Sequence, residues 1–202
     1  LDIQILVMEA AIVVLAGGLS TRMGTNKLNI QFKGMPMLRY TVHRLKQLNL
    51  PIYISVHDKH LEGFKNCIKD IHSSPRTPLL GMLSVCMKIK HEKIFVTTAD
   101  SPEINLNVIR YMLDYLPTFS SVIPMWESGK PEIIHAAYDR QKLTPILEMM
   151  WNKNLYQVSS LLTLAPKPLF ISTEHLRHLD PQLTSLMDFD TPEEIHNYFN
   201  KN

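Results

Sequence analysis

The residues with the clearest chemical potential form one segment, Leu15-Ala16-Gly17-Gly18-Leu19-Ser20-Thr21-Arg22-Met23-Gly24-Thr25-Asn26-Lys27. It continues the apolar run Ala11-Ile12-Val13-Val14-Leu15. A buried strand that opens into a glycine-rich, basic loop suits an anion such as phosphate. Glycine lets backbone N–H groups turn toward the anion without interference from a Cβ. Arg22 and Lys27 add formal positive charge at the same place. Two familiar phosphate loops do not fit. A Walker loop puts Lys directly after its second Gly, whereas here Lys27 follows Gly24 by three positions. The Gly-x-Gly-x-x-Gly fingerprint is absent as well. The loop is longer than either, with room to wrap a triphosphate.

Three further groups extend this chemistry. Asp100 follows the apolar run Ile94-Phe95-Val96-Thr97-Thr98 and precedes Ser101-Pro102. A carboxylate at a strand end suits Mg²⁺, which takes one or two protein carboxylates and completes its shell with phosphate oxygens and water. Capping of a following helix is the plainer alternative for an Asp at this place. Asp188 and Asp190, in Asp188-Phe189-Asp190-Thr191-Pro192, project to the same side of an extended segment. They could face the metal, with Asp190 as a second candidate ligand, or orient the loop residues; capping of the last helix by Asp190 or Thr191 is the plainer alternative. In Pro78-Leu79-Leu80-Gly81-Met82, Pro78 and Gly81 permit close approach of a flat base or ribose, and Asp70 could accept N–H groups from a base. His175 and His178 have helical metal-ligand spacing but no third ligand nearby, and read as a solvated face. Met112, Met149 and Met150 read as core filler. Trp126 and Trp151 fit either core packing or a pocket for a planar substrate.

The elements that must position these residues alternate between strand and helix. Strands are expected at 11–16, 52–56, 67–71, 94–98, 121–124, 133–138 (antiparallel, late in the sheet) and 169–171. Helices are expected at 37–48, 61–66, 80–90, 106–116, 142–150, 156–164 and 192–199, the last with Thr191 as N-cap. This alternation predicts an α/β fold, an open and mostly parallel central sheet with helices on both faces. Ligands in such sheets bind beyond the carboxyl ends of the strands. The 17–27 loop and Asp100 should therefore share one rim.

The 202 residues, 45% apolar and 20% charged, suit one domain with a substantial core. A net charge of +2 gives no global field to recruit nucleic acid or an anionic membrane. Cys67 and Cys86 match no metal or redox spacing and read as free thiols of a reducing, cytoplasmic setting. Residues 1–8 are too short to span a bilayer and lack a basic flank, and read as an N-terminal extension or the start of the first strand.

With these residues in view, the chain resembles the Rossmann-like nucleotidyltransferases, and within them the molybdenum cofactor guanylyltransferase family. The resemblance runs from about Ala10 to Tyr198. It rests on the Leu15–Lys27 loop, Lys33-Gly34-Met35-Pro36-Met37-Leu38, Thr77-Pro78-Leu79-Leu80-Gly81-Met82, Thr98-Ala99-Asp100-Ser101-Pro102 and Asp190-Thr191-Pro192-Glu193-Glu194. It implies a single nucleotidyltransferase domain over residues 9–200 that joins GMP from MgGTP to molybdopterin-bound molybdenum cofactor and releases pyrophosphate. It implies that the backbone of Leu15, Ala16 and Gly17 reads guanine with help from Asp70. Gly18, Ser20, Arg22 and Lys27 then belong to the phosphate grip, Pro78 and Gly81 to the nucleotide site, and Asp100 holds Mg²⁺. Arg22, Lys27 and Asp100 are the implied catalytic residues. Proteins that deliver the cofactor or accept the product are implied partners. Asp188 and Asp190 stand where the family often has Asn-x-Asn and match the cytidylyl relatives, so CTP is the alternative nucleotide. A cobinamide or sugar phosphate is the alternative acceptor. The Gly17-Gly18 pair favours the guanylyl branch.

Overall fold

The computed structural model describes residues 10–17, 30–57 and 61–201. Strand β1 (Ala10–Leu15) is followed by a small hairpin of β2 (Gln31–Phe32) and β3 (Met35–Pro36), then β4 (Ile52–Val56), β5 (Cys67–Lys69), β6 (Lys93–Thr98), β7 (Ser121–Met125), β8 (Ala136–Asp139) and β9 (Pro168–Ser172). The helices are α1 (Met37–Leu45), α2 (Pro78–Lys88), α3 (Leu106–Asp114), α4 (Arg140–Asn152), α5 (Leu161–Leu164), α6 (Thr173–Leu176) and α7 (Pro192–Lys201).

Seven strands form one sheet in the order β5-β4-β1-β6-β8-β7-β9. All neighbours are parallel except those of β8, which runs antiparallel to both β6 and β7. In β1, Ala10 to Val14 are all fully buried. Successive residues of a strand face opposite sides of the sheet, so both faces are covered, as the apolar run required. The chain leaves β1 toward β4 and β5, then returns to place β6 on the other side of β1. The strand order therefore reverses between β1 and β6, where a crevice opens beyond the carboxyl ends.

Helix α2 lies close against this part of the sheet. A Cβ at Gly81 would come within 2.7 Å of Ser55 Oγ and 3.2 Å of Leu15 Cδ2. Glycine here lets the helix approach β1 and β4, so the space beside it is filled by protein. A second, smaller core joins the hairpin to the C-terminal helix. Phe32, fully buried, packs against Tyr40, Phe189 and Phe199 at ring separations of 5.0, 5.5 and 5.2 Å.

Most expected elements are present within a few residues, and three differ. No helix forms over 61–66. Gly63 adopts φ +83°, outside the helical region, and the Arg39 guanidinium lies 3.2 Å from where its Cβ would be. The helix expected at 156–164 is reduced to a 3₁₀ turn at Val158–Ser160 followed by α5, because Gln157 is extended. The strand expected from residue 133 starts at Ala136. Before it the chain bends so that Tyr138 Oη donates to the Ile133 carbonyl at 2.6 Å. The β2–β3 hairpin was not foreseen; it turns through Lys33 and Gly34 at φ +47° and +80°, the left-handed pair that a two-residue hairpin loop favours.

The α2 contact yields a measurable consequence. Gly81→Ala should destabilise the protein by about 1–2 kcal/mol, since overpacking outweighs the better helix propensity of Ala. Adding Ser55→Ala removes the clashing oxygen and should restore part of that loss. Urea denaturation of the two single variants and the double checks it. Purely additive losses would contradict the contact.

Candidate active site

Backbone pairing brings four strand ends to one rim. Ala16 N donates to Ser55 O at 2.9 Å, Ala99 N to Leu15 O at 3.1 Å, and Asp70 N to Val56 O at 2.9 Å. Gly17, His57, Asp70 and the turn at Asp100 therefore follow β1, β4, β5 and β6 side by side. The expectation that Gly17 and Asp100 share a rim is met. Gly18, Ser20, Arg22 and Lys27 lie outside the described residues.

One half of the rim is built around Asp70. Ser55 Oγ donates to Asp70 Oδ1 at 3.2 Å, and His57 Nδ1 stands 3.2 Å from Asp70 Oδ2. The His57 and Asp70 side chains are 8% and 5% exposed. Burial raises the Asp70 carboxyl above its ordinary value, against hydrogen bonds from His57 and Ser55 that pull the other way. A Cβ on Gly17 would lie 3.5 Å from His57 N and 3.6 Å from Asp70 Oδ2, so the first loop glycine passes directly over this pair. Asp70, expected to accept N–H groups from a base, thus has both oxygens engaged by protein. A carboxylate keeps further acceptor capacity on each oxygen.

The other half gathers around Asp188. Its Oδ1 accepts from Ser101 Oγ at 2.5 Å and from Thr98 Oγ1 at 3.0 Å, and lies 3.2 Å from His135 Nε2. Phe189 N donates to the Asp100 carbonyl at 2.9 Å, which fastens this C-terminal segment onto the turn after β6. Asp188 thus meets this turn through its side chain. Asp190 sits exposed at the start of α7. There the Asp190 and Thr191 amides donate to Glu194 Oε2 at 2.6 and 3.0 Å, and Glu194 N donates to Thr191 Oγ1 at 3.1 Å. This reciprocal capping box makes Thr191 the N-cap, as expected.

Pro78 is exposed at the first position of α2, and Thr77 caps that helix through Oγ1 to Leu80 N at 3.3 Å. Gly81 is buried against Ser55 and Leu15, as described. His175 Nε2 pairs with Tyr111 Oη at 2.8 Å. Trp126 Nε1 donates to Glu132 at 2.6 Å, and Trp151 stacks on His72 at 4.7 Å. Met112 and Met150 are fully buried, whereas Met149 is half-buried. Among the described residues no three His, Cys, Asp or Glu cluster as a metal cage. No helix among them is long and apolar enough to cross a membrane.

His135 is the residue that sequence reasoning missed here. It lies inside the expected strand 133–138, yet nothing local distinguishes it from a satisfied core histidine. Only the antiparallel register, with Val96 opposite Ala136, carries it to Thr97 and the end of β6.

Burial pushes the Asp188 carboxyl up, but the hydrogen bonds and charge of His135, with Ser101 and Thr98, outweigh it and hold the group down at about 2. A carboxylate lowered on folding stabilises the protein above its unfolded value near 3.8, and that contribution is lost as pH falls toward 2. Asp188→Asn should therefore cost about 1 kcal/mol near neutral pH, a modest loss because solvent screens a side chain that is about half exposed. The difference from wild type should shrink steadily below pH 4 in urea titrations at stepped pH. A gap that is constant down to pH 2 would contradict the assignment.

Residues 12–185 match the family described as the MobA-like NTP transferase domain. Among curated relatives, a probable molybdenum cofactor guanylyltransferase of Pyrococcus horikoshii is 28% identical over 84% of this chain and 89% of that protein. The molybdenum cofactor guanylyltransferase of Campylobacter jejuni subsp. doylei is 30% identical over 54% of this chain, and the match spans little more than half, 57%, of that relative. Among solved structures, molybdopterin-guanine dinucleotide biosynthesis protein A from Archaeoglobus fulgidus superposes with a TM-score of 0.80 at 18% identity, over 95% of this chain and 100% of that one. A 4-diphosphocytidyl-2C-methyl-D-erythritol synthase from Anaerococcus prevotii superposes with a TM-score of 0.71 at 12% identity, over the full length of both chains. At these identities the structural likenesses concern the fold, while the family match covers most of the sequence. The chain belongs to the MobA-like NTP transferase domain family.

Proposed function

We propose that this protein transfers GMP from MgGTP to molybdopterin-bound molybdenum cofactor, releasing pyrophosphate. The observation that carries the reading is the meeting of Gly17, Asp100 and Asp188 at the strand-order reversal of a MobA-like NTP transferase domain. The names of the Pyrococcus and Campylobacter relatives support the choice of nucleotide and acceptor.

The residues present suit Mg²⁺. The donors at the β6 turn are carboxylate oxygens, the hard ligands this ion prefers. An Asp100 ligand, with Asp188 held on the same turn by Ser101 and Thr98 and with nucleotide phosphates, would complete a typical shell. When bound, the ion supplies charge neutralisation on the phosphates. Asp100 would hold it, and Asp190 is the further candidate from sequence. Lys27 and Arg22 would hold the phosphates. Backbone N–H groups at the start of the loop, with the His57–Asp70 pair beneath Gly17, would face the base. An acceptor phosphate oxygen forms a bond to the α-phosphorus while the bond to the β-phosphate oxygen breaks, and pyrophosphate leaves with that electron pair. The acceptor phosphate is already ionised near neutral pH, so no general base is needed. Catalysis then rests on positioning and on stabilising charge at the transferring phosphoryl group. CTP is the second reading, because Asp188 and Asp190 resemble the pair expected of the cytidylyl branch.

Pyrophosphate release with molybdopterin and each of GTP, CTP, UTP and ATP in Mg²⁺ tests the proposal. GTP should give the fastest turnover, and silence with GTP alongside activity with CTP would move the chain to the cytidylyl reading. Lys27→Ala should lower GTP turnover by about 10²-fold or more, by analogy with the loss of one donor to a developing oxyanion. Near-normal activity in that variant would remove Lys27 from its role. Asp100→Asn should raise the Mg²⁺ concentration needed for half-maximal rate.

A further inference from the structure

Three donors converge on a single oxygen of Asp188. Ser101 and Thr98, whose hydroxyls are 2.6 Å apart, approach Oδ1 from the β6 turn, and His135 approaches it from below. Among the described residues, no hydrogen bond reaches Oδ2, and the side chain is 46% exposed. The imidazole beneath is 2% exposed, and its Nδ1 lies 3.2 Å from Thr97 Oγ1, itself fully buried. With a proton on Nε2 the ring donates toward Asp188, and its Nδ1 meets the Thr97 hydroxyl at the inner end. A polar chain thus runs from the core of the sheet through His135 to a half-exposed carboxylate next to Asp100.

A histidine needed only to satisfy the core has no reason to spend its outer nitrogen on a side chain from a different, C-terminal segment. The antiparallel register of β8 on β6 ends with Val96 opposite Ala136, next to Thr97 and His135, and the Thr97 hydroxyl then holds the imidazole below the rim. Asp188 itself lies on an irregular segment between the 3₁₀ turn at Thr184–Leu186 and α7, where backbone structure alone does not fix a side chain. The sheet supplies what that segment lacks.

We propose that His135 is a positioning residue for nucleotide transfer. It locks Asp188 Oδ1 against Ser101 so that the second carboxylate oxygen is presented to the cation-bound triphosphate at the rim. The inference rests on the functional reading above, because it needs MgGTP to bind there. Outer partners that orient a carboxylate or imidazole beside a metal commonly change affinity or rate by 10- to 100-fold.

The test measures calorimetric binding of GTP with Mg²⁺ and of GTP in EDTA, without acceptor, to wild type, His135→Phe, His135→Gln and Thr97→Val. His135→Phe should weaken MgGTP binding about tenfold or more while leaving metal-free GTP within about twofold, and His135→Gln, whose amide N–H can stand near Nε2, should recover most of the loss. In turnover the same ordering should appear in kcat rather than in the KM for the acceptor. A cooperatively folded His135→Phe with wild-type affinity for MgGTP overturns the positioning role, as does equal weakening of both forms of GTP with no recovery in the Gln variant. Should His135→Phe fail to fold, Thr97→Val frees the inner end of the imidazole with little change in volume, and a MgGTP affinity about threefold weaker is expected; an unchanged affinity overturns the proposal. Wild-type protein that binds no MgGTP overturns the functional reading itself, a result distinct from any difference among the variants.

Discussion

The bond from the Phe189 amide to the Asp100 carbonyl ties together parts of the chain that are far apart in sequence. On one side of it stands the turn after β6, at the strand-order reversal where α/β sheets open their ligand crevice. On the other stands a C-terminal segment with little regular structure of its own. Phe189 points into the small core with Phe32 and Tyr198, and Asp188 meets Ser101 and Thr98. The two side chains flank one fixed peptide. If that peptide shifted, Asp188 would leave the rim and α7 would lose its seat on the β2–β3 hairpin. The second core therefore serves the site: its apolar burial holds a carboxylate that the sheet alone does not carry.

The two halves of the rim show contrasting electrostatics. Asp70 is buried beside His57, and desolvation works against its charge. Asp188 is more open to solvent, yet three donors on one oxygen favour its charged form. A carboxylate kept ionised beside Asp100 suits a place where cations and phosphates meet. A carboxylate held by a histidine and a serine under a glycine suits a surface that reads a neutral, hydrogen-bonding edge. The division fits the proposed reading, with the base at one half and the phosphates at the other.

Much of this was legible in the sequence because it rests on local patterns. The run from Ala11 to Leu15 announces a buried parallel strand, and the Thr191–Glu194 spacing announces a capped helix. Asp100 could be placed on the rim because a strand end locates it. What escaped depends on pairing across the sheet. His135 has meaning only once β8 is known to run antiparallel beside β6. Asp188 becomes distinct from Asp190 only when Phe189 is seen to bind the Asp100 carbonyl. Gly81 looked like room for a base, but it accommodates Ser55, a contact set by how closely α2 lies on β4. The helix expected at 61–66 fails for a local reason, the left-handed Gly63, which its apolar spacing masked.

The central claim is that the crevice between β1 and β6 receives a metal-bound nucleoside triphosphate. Crystals grown with Mn²⁺ and a GTP analogue that cannot transfer its α-phosphate test it most directly, since the ion is visible by its anomalous scattering. The account predicts the anomalous peak on the Asp100 carboxylate, with the triphosphate passing the end of β1 at Gly17 and the base toward His57 and Asp70. A nucleotide bound elsewhere on the molecule, or an ion seated away from Asp100, would contradict it.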